Sequence, residues 1–181
     1  MAKLISKTYG DALFELAVED DKVDILLEEI EQLQKILAEN ADFGRLMNHP
    51  KIIKEEKIKV AENVFKGRIS EELFGFLTII ISKDRYREID EILEYFVVKV
   101  KEYKGIGIAT VTTAVPLKDS QCKAVEKKLL DTTKYQSMEM HYDVDATLIG
   151  GMVIRIGDRV VDSSISNKLN ELQRDLLKVQ I

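Results

Sequence analysis

The sequence is poor in the residues that build catalytic and metal sites. It contains one cysteine and two histidines in 181 residues. Cys122 cannot form an internal disulfide, which favours a reducing compartment, and no second cysteine or histidine cluster offers a zinc site. A Ser-His-Asp or Cys-His device would have to use His49 or His141, and neither lies in a catalytic pattern. We therefore expect no metal, no cofactor and no active site.

Long apolar runs are also missing. No stretch approaches the about 20 consecutive apolar residues that cross a bilayer, and the first residues enter a helical pattern without a signal or transit segment. We therefore expect the chain to reach a membrane only through partners. The missing transit segment favours a bacterial over an organellar origin.

Basic clusters are absent as well. The chain has 32 acidic and 27 basic side chains, a formal net charge of -5. Lysines are interleaved with glutamates, as in the segment from Lys51 to Lys59, which is typical of a solvated helix face. This charge pattern argues against a general nucleic-acid binder.

What the sequence does have, up to residue 104, is apolar residues at helical spacing. Six helices are predicted there. The most apolar run, Phe74 to Ile81, fits a helix or a strand, and we interpret it as a helix because Ser70 and the following acidic residues form a start signal.

The periodicity changes to strict alternation at Lys104–Gly107. Strands are predicted from Ile106, from Met138 and from Met152, with a helix after the first strand and another from Ile165. We expect Val160 and Val161 to return toward the core. The final helix carries one apolar stripe, formed by Ile165, Leu169, Leu172, Leu176 and Val179. The predicted fold is therefore α+β: a six-helix bundle over residues 1–104 and a small αβ domain, with a short sheet and two helices, over residues 105–181.

The glycine pair Gly150-Gly151 precedes the strand from Met152 and allows a sharp turn into it. A phosphate cradle needs its glycine loop between strand and helix, usually with a following lysine. Here the helix is preceded by Asp162-Ser163-Ser164, which is typical of a helix N-cap. A structural turn and cap are the favoured interpretation.

The first and fifth helices carry more apolar surface than a one-faced helix requires. Either they are covered on several sides within the bundle, or their outer strips form a groove for an amphipathic helix of another chain. Gly10 and Gly75 lie inside these helices, where glycine costs roughly 0.5–1 kcal/mol relative to alanine. Close approach of another backbone would account for that cost.

The C-terminal third resembles the signature of the delta subunit of F-type ATP synthases, the counterpart of the mitochondrial oligomycin-sensitivity-conferring protein. The matching residues, in order, are Val144, Asp145, Leu148, Ile149, Gly150, Gly151, Gly157, Asp158, Asp162 and Ser164. The chain departs from the pattern at Ser163, where glycine is usual. Weaker N-terminal matches are Tyr9–Leu13, with Gly10 for the usual alanine, Pro50 with Glu56-Lys57, and Asp84–Ile89.

This resemblance implies a non-catalytic stator subunit at the cytoplasmic face of a bacterial cell membrane. In the family the helical domain binds N-terminal helices of the alpha subunits, largely through its first and fifth helices. The C-terminal domain holds the C-terminal end of the b-subunit stalk. By position, the candidate alpha-binding residues are Tyr9, Ala12, Leu16, Phe76, Ile79 and Ile80.

Two other functions stay open at this point. One is an enzyme that uses the C-terminal module around Gly150-Gly151, which nucleotide binding by the isolated chain would favour. The other is a helical adaptor unrelated to ATP synthase, which would not recover alpha and b subunits from membranes.

Overall fold

The computed structural model describes residues 2–179 and the side chains of residues 4–177. In that range it contains eight α-helices and one four-stranded sheet, which confirms the predicted α+β class. The chain divides into two compact units after Val100. We call residues 1–100 the helical unit and residues 101–181 the αβ unit.

Helices fill the chain up to Tyr103, and a short 3-10 turn at Tyr86–Glu88 interrupts them before the last one. The α-helices are α1 (Ala2–Glu19), α2 (Val23–Glu39), α3 (Ala41–Met47), α4 (Lys54–Phe65), α5 (Glu71–Ser82) and α6 (Ile89–Tyr103).

The apolar run that fits either element type forms α5, as predicted. Its N-cap Ser70 accepts a hydrogen bond from the Leu73 N–H (3.4 Å). Glu29 of α2 in turn accepts hydrogen bonds from the Ser70 N–H (3.2 Å) and hydroxyl (2.6 Å). Because these bonds satisfy polar groups at the start of α5, they favour a helix that begins at Glu71.

The core of the helical unit is built on α6, whose buried side chains recur every three or four residues. Ile92, Leu93 and Phe96 are completely buried there. They share one apolar cluster with Leu13 and Ala17 of α1, Leu26, Ile30 and Leu33 of α2, Ala61 and Phe65 of α4, and Leu73, Leu77 and Ile80 of α5. The helices therefore depend on a common core for their stability.

Gly10 allows α1 and α6 to approach each other closely. A Cβ atom at Gly10 would lie less than 3.0 Å from the Tyr95 ring of α6. Beside this contact, the Tyr95 hydroxyl donates to Asp11 Oδ1 (3.0 Å), and Lys99 also pairs with Asp11. The hydrogen bond from Lys99 lowers the pKa of Asp11. The close approach at Gly10 is thus made within the chain.

Alanine substitutions at the two helical glycines are expected to change stability in opposite directions. Gly10→Ala should lower the free energy of unfolding by about 1–2 kcal/mol, since overpacking against Tyr95 outweighs the gain in helix propensity. Gly75→Ala should raise it by about 0.5–1 kcal/mol, because an added Cβ meets no atom within 4 Å. Urea denaturation followed by circular dichroism measures both values. A stabilised Gly10→Ala variant would show that the contact with Tyr95 is loose.

The αβ unit contains one mixed sheet of strand order β2-β1-β3-β4. Its elements are β1 (Ile106–Thr113), α7 (Asp119–Thr132), β2 (Ser137–Val144), β3 (Met152–Ile156), β4 (Arg159–Asp162) and α8 (Ile165–Val179). Strands β1 and β2 are parallel and are joined through α7, whereas β3 is antiparallel to both β1 and β4.

The core of the αβ unit lies under α7. Ala109 of β1 pairs with Met140 of β2 on one side and with Ile156 of β3 on the other. Leu129 of α7 belongs to the same apolar cluster as Ala109 and Met138. Helix α7 connects β1 to β2 and packs against β2, so the β1–β2 half of the sheet is the covered half.

The prediction that Val160 and Val161 return toward the core is wrong. Both valines are exposed, and so are the other residues of β4. The reason is topological, because β4 is an edge strand that pairs only with β3. A short apolar pair at the edge of a sheet remains at the surface unless another element covers it.

Candidate partner-binding surfaces

The candidate residues of α1 lie along one flank of the helix. Tyr9, Ala12 and Leu16 are separated by three and four residues, the spacing that places side chains on one helix face. Ala12 is exposed, Leu16 is 37% exposed, and Tyr9 packs partly against the core. Because Leu13 and Ala17 of α1 are the residues buried in the core, this flank is available at the surface.

The candidate residues of α5 are not all at the surface. Ile79 is 50% exposed, but Phe76 is only 7% exposed and Ile80 is completely buried. The inward face of α5 contains Leu73, Phe76, Leu77, Ile80 and Ile81. Phe76 and Ile80 are therefore corrected to core residues, since their spacing from Leu73 puts them on the inward face.

The end of α1 lies close to the start of α5. Lys22, which follows α1, pairs with Glu72 in the first turn of α5. Helix α1 also contacts the 3-10 turn that follows α5. The hydrogen bond from Lys22 lowers the pKa of Glu72, so this carboxylate stays ionised to lower pH than a free glutamate. The flank of α1 and Ile79 of α5 belong to helices that share one apolar core, and we call Tyr9, Ala12, Leu16 and Ile79 the α1–α5 surface.

Gly75 of α5 is not explained by packing within the chain. An added Cβ would meet no atom within 4 Å, and the backbone has no positive φ there. One turn later lies the exposed Ile79. Gly75 thus leaves room on the outer side of α5 next to Ile79.

The signature turn before β3 joins the start of β3 to the start of α8. Gly151 has φ +78°, and a Cβ there would lie less than 3.0 Å from the Ser163 carbonyl oxygen. A Cβ at Gly150 would lie 2.7 Å from Ile165 Cδ1. The Ile165 N–H donates to the Gly150 oxygen (2.9 Å). Because a carbonyl oxygen occupies the space beside Gly151, this turn does not offer the converging N–H groups of a phosphate cradle.

The rest of the signature forms turns and caps. Leu148 ends the 3-10 turn Ala146–Leu148, which Asp145 caps after the last residue of β2, Val144. Ile149 follows with φ +65°. Gly157, with φ +54°, and Asp158 connect β3 to β4.

The predicted cap of the last helix is confirmed at Ser164. Its hydroxyl oxygen accepts a hydrogen bond from the Asn167 N–H (3.1 Å), and Asp162 Oδ1 accepts from the Ser164 N–H (2.9 Å). This hydrogen bonding lowers the pKa of Asp162. The Ser163 hydroxyl donates to the Met152 carbonyl oxygen (2.9 Å), so it ties the segment before α8 to the start of β3.

The apolar stripe of α8 is exposed along its described length. Ile165, Leu169, Leu172 and Leu176 are between 44% and 70% exposed. Val179, the last residue of the predicted stripe, lies outside the described side chains. Spacings of four, three and four residues are those of a helix that packs against another helix. A one-sided stripe was predicted correctly, but in this structure it covers no core.

An apolar groove that the sequence analysis did not predict lies between α7 and the β3–β4 hairpin. Its volume is about 630 Å³. The lining residues are Ala124, Val125, Lys128, Leu129, Thr132 and Thr133 on the α7 side, and Gly151, Met152, Ile154, Ile156, Arg159, Val161 and Ser163 on the sheet side. We call it the α7–hairpin groove. The alternation of apolar residues in β3 was its sequence signal, whereas Val161 was expected to be in the core.

His141 and Glu139 take part in a surface charge cluster with Lys101. His141 Nε2 lies 3.3 Å from Glu139 Oε1, and Lys101 Nζ lies 2.6 Å from Glu139 Oε2. The hydrogen bond from Lys101 lowers the pKa of Glu139. Across residues 2–179, no group of three or more histidine, cysteine, aspartate or glutamate side chains is placed to hold a metal ion. No helix in the described part of the chain is long and apolar enough to cross a membrane.

Comparison with known proteins decides the family. The model of the "ATP synthase delta (OSCP) subunit" family matches residues 5–176. The chain belongs to the ATP synthase delta (OSCP) subunit family. The ATP synthase subunit delta of Lachnoclostridium phytofermentans is 53% identical over 181 residues and 100% of both chains, and that of Alkaliphilus oremlandii is 33% identical over the same extent. The resemblance of the signature residues to this family is confirmed.

A solved structure shows the same fold. One chain of the mitochondrial ATP synthase hexamer of Toxoplasma gondii, determined by cryo-EM, superposes on this member of the delta (OSCP) family with a TM-score of 0.76. The match covers 95% of this chain and 97% of the other at 18% sequence identity. At that identity the likeness supports the fold alone.

Proposed function

We propose that this delta-family chain is a non-catalytic subunit of the peripheral stalk of an F-type ATP synthase. In this role it links the alpha/beta head to the membrane-anchored b subunits, so that rotation couples proton flow to ATP synthesis. The observation that carries the proposal is the full-length, 53% identical match to an ATP synthase subunit delta. A stator has to hold the head against torque, and two binding surfaces on one chain suit that task.

The two ends of the chain have different tasks in this proposal. Residues 1–104, with α1 to α6 as a helical bundle, bind the N-terminal helices of the alpha subunits. The α1–α5 surface is the docking site, because Leu16 and Ile79 expose apolar side chains on two helices of the same core and an amphipathic helix fits such a surface. Phe76 and Ile80 support this surface from the core. Residues 105–181 hold the C-terminal end of the b subunit.

Neither alternative gains a specific observation. A phosphate-binding enzyme is disfavoured because the Ser163 carbonyl oxygen fills the space at Gly151. A generic adaptor leaves the full-length family match without an explanation. We place the protein at the cytoplasmic face of a bacterial cell membrane, held there by its partners, and the bacterial relatives support this location.

Removal and return of the chain tests the proposal. Membranes from a strain without this subunit should release the alpha/beta head into the soluble fraction, and adding the purified chain back should return the head to the membranes. Sedimentation followed by an ATPase assay of both fractions measures this. The Ile79→Glu variant, added back at the same concentration, should restore attachment less well than the wild type. A head that stays on the membranes without the chain would overturn the proposal.

A further inference from the structure

The last helix carries an apolar stripe that its own unit leaves in water. The start of α8 is fixed by a hydrogen bond from the Ile165 N–H to the Gly150 oxygen (2.9 Å). Beyond this first turn the exposure of the stripe rises along the helix, from 52% at Leu169 to 70% at Leu176. An amphipathic helix of a folded domain normally buries such a stripe. Among the described residues, no element covers it.

The spacing of the stripe is that of a coiled coil. Its residues occupy alternating d and a positions of a heptad: Ile165, Leu169, Leu172 and Leu176. In the same heptad frame Lys168 and Asp175 occupy successive g positions, and both are exposed. The e positions on the other flank hold Ser166 and Gln173. Because the e and g residues flank the seam, they determine which helix can pair with α8 and in which orientation.

The charges at the g positions favour an antiparallel pair of identical helices. In a parallel pair each g position faces an e position of the partner, so Lys168 would face Gln173 and meet no opposite charge. Reversing one helix brings the two g flanks together, which places Lys168 beside Asp175 of the second copy. Since two identical chains pair about a two-fold axis, each dimer contains this opposite-charge pair twice.

The register of the pair is specified as well. When Ile165 faces Leu176 of the second copy, Leu169 faces Leu172, and all four described residues of the stripe are paired. The Lys168–Asp175 pairs form in this register. A shift by one heptad in either direction leaves half of the stripe unpaired and places Lys168 against Lys168 or Asp175 against Asp175. Like charges at these positions disfavour both shifted registers.

We propose that the apolar stripe of α8 is a self-association surface, on which a second copy of this chain docks its own α8 in antiparallel orientation. This inference goes beyond the proposed function and does not depend on it. Helix α8 has 15 residues and is roughly 22 Å long at 1.5 Å per residue. The contact is therefore smaller than a standard interface, which involves about 20–30 residues a side. We expect a weak dimer in exchange with the monomer.

Two leucines of α8 supply matched variants for a test. Leu172 is 61% exposed in the middle of the stripe, whereas Leu177 is 59% exposed at a b position, off the seam. Glutamate adds the same charge at either exposed site, so both variants should stay folded, which circular dichroism checks. Leu172→Glu should raise the Kd of the dimer at least tenfold, and Leu177→Glu less than twofold. Sedimentation equilibrium of the full-length chain, from micromolar to near-millimolar concentration, measures these values.

A charge exchange tests the orientation. Lys168→Glu and Asp175→Lys should each raise the Kd about fivefold at low salt and less at high salt, because each places two like-charge pairs across the dimer and salt screens exposed charges. The double variant restores opposite charges at both pairs, so its Kd should return to within twofold of the wild-type value. Damage to the fold of α8 by the single variants would not be rescued in this way.

Three results would overturn the inference. A chain that stays monomeric at every concentration has no such surface, and if Leu172→Glu then lowers its free energy of unfolding more than Leu177→Glu does, another part of the same chain covers the stripe. A dimer that both leucine variants affect equally uses another surface. A double variant that fails to restore the dimer rejects the antiparallel pair. The proposed function is tested separately, by release of the alpha/beta head.

Discussion

Ile80→Glu is expected to unfold the helical unit, whereas Ile79→Glu leaves it folded. Ile80 is completely buried in the common core, so the substitution removes a packed side chain and buries a carboxylate without a partner. We expect the free energy of unfolding to fall by at least about 4 kcal/mol, against a total of about 5–15 kcal/mol for a typical domain. Ile79 is 50% exposed, and its glutamate remains in water. Urea denaturation followed at 222 nm measures both effects.

The Ile79→Glu variant also tests the proposed alpha-binding site. Ile79→Glu should weaken binding of a peptide from the alpha N-terminus at least tenfold, because it places a charge in an apolar contact. Ile36→Glu is the matched control, since Ile36 is similarly exposed (47%) on α2 and lies beside Val64 and Phe65. Equal binding by both variants would remove Ile79 from the site. Loss of helical signal in Ile79→Glu would show that Ile79 is a core residue.

Gly151→Ala is expected to destabilise the αβ unit by about 2–4 kcal/mol. Alanine at φ +78° costs about 1–2 kcal/mol, and its Cβ would also press against the Ser163 carbonyl oxygen, which belongs to the backbone and cannot rotate away. The strain falls on the segment that holds the start of α8. Hydrogen exchange should therefore become faster at the amides of Ser163 and Ile165, which donate to Met152 and Gly150.

Gly157→Ala separates the cost of the positive φ from the cost of the contact with the Ser163 carbonyl oxygen. Gly157 also has a positive φ, +54°, but a Cβ there meets no atom within 4 Å. Its substitution should cost only about 1 kcal/mol and leave the exchange of Ser163 and Ile165 unchanged. If Gly151→Ala proves no more destabilising than Gly157→Ala, then the contact with Ser163 does not explain the glycine.

Element types were predictable because they depend on local geometry. Ser70 and the first-turn acids identified α5 as a helix in spite of its β-branched residues, and the alternation from Met152 identified β3. Capping by Ser164 was also predictable, since the donor and acceptor lie three residues apart. These signals involve residues that are near one another in the sequence.

Burial was harder to predict on helices with several apolar faces. The sequence makes Phe76, Ile79 and Ile80 equally good candidates, yet only Ile79 is at the surface. Gly10 similarly suggested a partner's backbone, whereas it accommodates Tyr95, which lies far away in the sequence. Which face is covered depends on distant helices that the local pattern does not identify.

By itself, the sequence determined the family, the α+β class and the signature turns, because these depend on residue order and on backbone periods that short segments already express. Only the tertiary structure decided which apolar residues remain available to a partner. The α7–hairpin groove arises because β4 is an edge strand beside a sheet that α7 covers only in part, and the stripe of α8 is exposed because no described element covers it. Strand order and helix placement bring together residues from distant segments, and the exposed surface follows from that arrangement.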